Sequence, residues 1–132
     1  MIIELDFLVA LSRKDDKYHN NVLEIIRKHE LALSPYALSE LDLLVWSGRF
    51  TVKDPILFFK LLSETLKYYN IRVLPPSSNH ISQAYKLRNI YELTFFDSLH
   101  AATSIIEDIP IISYDRKYQK IKEIHYIHPS TI

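Results

Sequence analysis

The sequence predicts a single α/β domain, a parallel sheet with helices covering both faces. Three observations carry that expectation. Short apolar runs alternate with amphipathic stretches along the whole chain, as in a parallel sheet buried on both sides. Ser34-Pro35 and Asp54-Pro55 are helix-start signals, because proline at the first helical position loses no amide hydrogen bond. No repeat, low-complexity tract or linker interrupts the chain, so residues 1–132 form one domain long enough for a real core.

Taken in order, Met1–Leu5 is apolar except for Glu4 and reads as the first strand. Phe7–Leu11 follows as a helix too densely apolar to be amphipathic, hence buried, and Arg13–Lys17 is a polar turn. His19–His29 sets Val22, Leu23, Ile25 and Ile26 at helical spacing. Glu30–Leu33 is the second strand. From Ser34, a helix carries Leu38, Leu41, Leu44 and Val45 on one face and ends near Gly48. From Asp54, another carries Leu57, Phe58, Leu61, Leu62 and Leu66 as a stripe. Ile71–Leu74 is a third strand, stopped by Pro75-Pro76, and Ser77 or Ser78 caps a helix through about Asn89. Leu93–Tyr118 reads as a helix opening on Asp97 with Thr94 as its N-cap, a turn, and the buried strand Pro110–Ser113, which leads out to Asp115. Arg116–Lys122 is polar and basic, and Ile124–Ile127 is a last edge strand.

Composition removes several functions. With no cysteine, disulfides, thiolate metal sites and cysteine nucleophiles are excluded. Gly48 is the only glycine, too few for a Gly-rich phosphate loop. No apolar run approaches the roughly 20 residues of a membrane span. Glu4 and Asp6 interrupt the order of a signal peptide, so no membrane association and a cytoplasmic protein are expected. Sixteen acids balance sixteen bases, so bulk charge does not signal a nucleic-acid-binding domain. A bound ion and local patches can still recruit phosphate.

The acids remain. Asp97 and Asp115 belong to two elements that end at the same sheet edge, and ligand sites in open α/β sheets lie outside the carboxyl ends of the strands. Each has a plainer reading: Asp97 completes a capping box with Thr94, and Asp115 is a surface turn residue. Ser113, two residues before Asp115, is placed to hold a carboxylate by hydrogen bond. Glu40 borders the buried stripe of its helix. It is either a ligand or an exposed helix glutamate, and position 44 offers it leucine rather than a basic partner. Glu4 and Asp6 close the first strand and enter the first helix, where a buried acid needs pairing or a metal; Asp6 also reads as the N-cap of a helix beginning at Phe7. Together these acids suit a hard divalent ion, Mg²⁺ or Mn²⁺, which polarises a phosphodiester and lowers the pKa of its attacking water.

At this point the chain resembles PIN-domain proteins of the kind found as VapC-type toxins in prokaryotes. M-I-I-E-L-D-F-L-V-A-L is similar to the family opening, S-P-Y-A-L-S-E to the block whose acid is Glu40, and F-F-D-S-L-H-A-A to the block of Asp97. I-I-S-Y-D-R-K-Y matches the last block, with Ser113 at the usual threonine position and Asp115 as the acid. The motifs are short, and their order and spacing over nearly the whole chain carry the likeness. The resemblance implies a three-layer α/β/α sandwich with a central mainly parallel sheet. It also implies a Mg²⁺- or Mn²⁺-dependent ribonuclease, an RNA substrate, a small antitoxin partner and a homodimer. Glu4, Asp6, Glu40, Asp97 and Asp115 would then be metal ligands, with Ser113 supporting them. One departure is visible: Glu4 stands where the family has its first aspartate, and Asp6 stands two residues on, at a position that is often asparagine, serine or aspartate.

Other features point less sharply. The six histidines lack metal-type pairing, and His100, three residues after Asp97, reads as packed or solvated rather than as part of the site. Tyr114, Arg116, Lys117 and Lys120 either contact RNA phosphate or form a solvated basic turn. Two rival functions stand beside the nuclease. One is a PIN-fold binding or regulatory module weakened by the Glu4 change. The other is a haloacid-dehalogenase-type phosphatase, which needs an aspartate nucleophile where Glu4 stands.

Overall fold

The computed structural model describes residues 1–132. Five strands, each two paired residues long, make one sheet: β1 (Ile2–Ile3), β2 (Ala32–Leu33), β3 (Arg72–Val73), β4 (Ile111–Ile112) and β5 (Tyr126–Ile127). Their order is β3-β2-β1-β4-β5, and every neighbouring pair is parallel. Six helices surround it: α1 (Leu5–Ser12), α2 (His19–Lys28), α3 (Pro35–Trp46), α4 (Pro55–Tyr68), α5 (Ser78–Ile90) and α6 (Phe95–Glu107). Short 3-10 turns follow at Arg116–Lys120 and Pro129–Thr131.

Strand side chains alternate between faces, and this makes two cores. Ile3, Leu33 and Ile112 pack with α1, α2, α3 and α4 around Phe7, Leu8, Val22 and Leu41. Across the sheet, Ile111 packs with α5 and α6 around Leu87, Leu99 and Tyr118, while Ile2 and Ala32 meet Leu74. The result is the expected three-layer α/β/α sandwich.

The helix starts expected at Pro35 and Pro55 are found at those residues, and Ser77 caps α5. Several details differ from expectation. The first strand stops at Ile3, because Glu4 rather than Asp6 is the N-cap of α1, its carboxylate accepting from the Leu5 amide. Helix α6 opens at Phe95, with Asp97 at its third position. The α4 stripe buries only Leu62 and Leu66, leaving Leu57 and Leu61 about half exposed. Likewise α3 buries Leu41 fully but Leu38, Leu44 and Val45 only in part. Strand β3, read from its apolar run, is an exposed edge, because only β2 pairs with it.

Topology places the site. Strands β1, β2 and β3 progress to one side of β1, whereas β4 and β5 lie on the other. The order therefore reverses between β1 and β4, and the crevice beyond their carboxyl ends is where such folds bind ligands.

Candidate functional site

The chain leaves β1 through Glu4 and Asp6 and leaves β4 through Ser113 and Asp115. Ser113 Oγ lies 2.9 Å from both Glu4 Oε1 and Asp6 Oδ2. Asp6 Oδ2 also accepts from the Tyr114 amide at 2.7 Å, and Ser113 Oγ accepts from the Asp115 amide at 3.0 Å. Glu4 and Asp6 thus converge on Ser113. One is an N-cap and the other a first-turn residue, both turned toward β4.

A serine hydroxyl has one hydrogen to give, so it serves one of these carboxylates at a time. Burial pushes the pKa of Glu4 well up, reinforced by the charge of Asp6. Burial also raises Asp6, despite its hydrogen bonds from Tyr114 and Ser113. Two buried acids side by side cannot both ionise freely without a cation.

Helix α3 brings Glu40 and α6 brings Asp97. The α6 start is half a capping box: Thr94 Oγ1 accepts from the Asp97 amide at 3.3 Å, while the Asp97 carboxylate turns away to Lys117. Lys117 Nζ lies 2.7 Å from Asp97 Oδ1 and 2.8 Å from Asp115 Oδ2. Burial would lower the Lys117 pKa, but these two carboxylates outweigh it and push it up. Asp115 sits below the ordinary carboxylate range: burial works against this, and the hydrogen bonds and charge of Lys117 prevail.

His100, fully buried on α6, bridges to α3. Its Nε2 is 2.9 Å from Glu40 Oε1 and 3.7 Å from Glu4 Oε2, and its Nδ1 is 2.8 Å from Ser34 Oγ. A carboxylate only accepts, so Nε2 carries a proton toward Glu40, and Nδ1 then accepts from Ser34. Ser34 starts α3 by position but spends its hydroxyl on His100 rather than on a helix amide. The opposite tautomer would free Nε2 as a ligand. Donor atoms of Glu4, Glu40 and His100 lie within 4.8 Å of one another.

The sequence profile of the PIN domain matches residues 2–124. The chain belongs to the PIN domain family. Among solved structures it is similar to VapBC2 from Rickettsia felis bound to a promoter DNA fragment, with TM-score 0.74, 19% identity and 96% of each chain covered. It is also similar to FitAcB from Neisseria gonorrhoeae, with TM-score 0.68, 13% identity and 99% of each chain covered. PAE2754 from Pyrobaculum aerophilum follows with TM-score 0.60 and 21% identity, covering 98% of this chain and 83% of that one. At these identities the likeness is one of fold. No curated protein matches.

In this PIN domain two site neighbours exceed what the sequence suggested. His100 is packed, as expected, yet it faces the acids; its place one helical turn after Asp97 was the available signal. Lys117 is neither a free phosphate contact nor a solvated turn residue, and nothing in the spacing pairs it with Asp97. The donor set, mainly carboxylate oxygen with one imidazole, fits Mg²⁺ or Mn²⁺. A further observation fits an added group: the buried Tyr118 hydroxyl has no hydrogen-bond partner. Burial raises its pKa, and the nearby charges of Glu4, Asp97, Asp6 and Glu40 raise it further. No helix is long and apolar enough to cross a membrane.

Proposed function

We propose that this PIN domain is a Mg²⁺- or Mn²⁺-dependent endoribonuclease, the toxin of a toxin–antitoxin pair acting in the cytoplasm. One observation carries the reading: beyond the β1 and β4 ends the donor atoms of Glu4, Glu40 and His100 lie within 4.8 Å of one another, Asp6 shares Ser113 with Glu4, and Asp97 and Asp115 share Lys117. Buried carboxylates crowded this way need positive charge, and an RNA phosphodiester needs the same charge at its reacting oxygens.

Glu4 and Glu40 would hold the ion, with Asp6, Asp97 and Asp115 completing the acidic rim. When bound, the ion polarises the phosphodiester and acidifies the attacking water. The chain's residues position the rest. Ser113 ties the β1 acids to β4, and His100 aims Glu40 from α6 while Ser34 fixes the imidazole ring. The extra methylene of Glu4 is taken up by its N-cap geometry, which still delivers the carboxylate to Ser113, Glu40 and His100. That observation favours an active nuclease over a weakened binding module.

The partners this reading implies are a small antitoxin and a second copy of the chain. The solved structures of VapBC2 and of a toxin–antitoxin complex from Klebsiella pneumoniae support the first. Exposed Trp46 on α3 and exposed Leu61 and Tyr68 on α4 give either partner apolar surface to cover.

The test is cleavage of mixed-sequence single-stranded RNA with Mn²⁺. Asp97→Asn is expected to abolish it while circular dichroism stays unchanged, and chelation should stop the parent. Cleavage by Asp97→Asn at the parental rate would overturn the assignment. Induced expression should arrest growth with the parent and not with the variant.

A further inference from the structure

Half of this acidic site already holds a cation supplied by the chain itself. Among sixteen lysines and arginines, Lys117 alone makes an ion pair with a carboxylate, and it makes two. The placement is built rather than casual. Asp115 Oδ1 accepts the backbone amide of Lys117 at 3.0 Å, opening the 3-10 turn, while Asp115 Oδ2 accepts from the ammonium at 2.8 Å. One residue thus fixes both ends of the lysine. The ammonium lies 5.4 Å from the centre of the Tyr118 ring, which is itself buried, a distance at which a ring face attracts a cation. Its other partner, Asp97, has a side chain only 7% exposed, so that carboxylate depends on Lys117 for its charge balance.

The remaining acids are arranged differently. Glu4 and Glu40 have no lysine or arginine partner, and their donor atoms group with His100 within 4.8 Å. We propose that Lys117 is the resident second cation of the site. Its ammonium takes the place between Asp97 and Asp115 that a second divalent ion would otherwise fill, so the chain takes up one divalent ion, on the Glu4 and Glu40 side. An ammonium suits that role as a compact point charge with three donors. It satisfies both carboxylates through hydrogen bonds and leaves them fixed before any ion or phosphate arrives. Without it, two facing carboxylates are the oxygen donor set that Mg²⁺ or Mn²⁺ binds.

This inference rests on the metal-nuclease reading, and stoichiometry separates the two. Mn²⁺ is titrated into the full chain, with bound ions counted by calorimetry and by the loss of the free-Mn²⁺ electron paramagnetic resonance signal. The parent should bind one ion, Lys117→Met two, and Lys117→Arg, which keeps the charge, one. A merely structural lysine would change stability and leave the count alone. If Lys117→Met does not fold, Lys117→Gln carries the same expectation of two ions. One ion on the parent and still one on the folded neutral variant overturns this inference and spares the metal site. Two ions on the parent also overturns it. No binding to parent or variant removes the metal-site reading and this inference with it.

Discussion

Glu4 carries the charge that the fold tolerates least. It is buried, shares Ser113 with Asp6, and its pKa is raised by burial first and by Asp6 second. Between its ordinary pKa and its raised one, the folded chain holds a proton that the unfolded chain has lost, so stability falls as pH rises through that window. In the absence of metal, Glu4→Gln should therefore melt several degrees above the parent at pH 8, and the gap should close as pH falls into the ordinary carboxylate range. Melting curves across pH check this; a constant gap would contradict it. The same variant should lose Mn²⁺ affinity, because the ion is what makes the ionised form tolerable. At this scale Glu4, Asp6, Asp97, Asp115 and Ser113 could be singled out because each stands near an element end, and Glu40 because it borders the buried stripe of α3. The pairing of Lys117 with Asp97 was not legible, and His100 was legible only through its place one turn after Asp97. Their partners Asp97 and Glu40 lie 20 and 60 positions away, and only the packed fold brings them together.

Local chemistry marks some elements better than others. Prolines at first helical positions gave the starts of α3 and α4 to the residue, because that preference depends on the backbone alone. Helix α1 began earlier than expected, since glutamate is not a favoured N-cap and only the neighbouring β4 explains its use there. The strands are shorter than their apolar runs: Ile71 and Leu74 are buried on either side of β3, and Leu74, just past its end, still donates its amide to Leu33 of β2. Thr94 ties an element to the site, because its hydroxyl accepts from the amide of Asp97. Thr94→Ala should cost about 1 kcal/mol of stability, as cap removals generally do. It should also weaken Mn²⁺ binding by letting the first turn of α6 fray. Denaturant titration and calorimetry read the two effects; unchanged metal affinity alongside lost stability would show that Asp97 is held by Lys117 alone.

For the whole molecule, the reversal of strand order between β1 and β4 is what makes the acids neighbours. Alternating apolar and amphipathic stretches made the parallel sandwich readable, but not the strand order, which depends on which way each crossover turns. Net charge is zero, so the attraction for phosphate must come from the site rather than from the surface as a whole. An ion bound only by the folded chain also stabilises it by mass action, about 2.7 kcal/mol at a hundred times the dissociation constant. The most direct test of the central claim, that these separated carboxylates jointly hold a divalent cation, is Mn²⁺ calorimetry on the parent beside Glu40→Gln. The account predicts saturable binding by the parent and a loss of at least about tenfold in affinity for the variant, in line with the usual cost of disturbing a metal site. No binding by the parent at millimolar Mn²⁺, or equal binding by both, would contradict it.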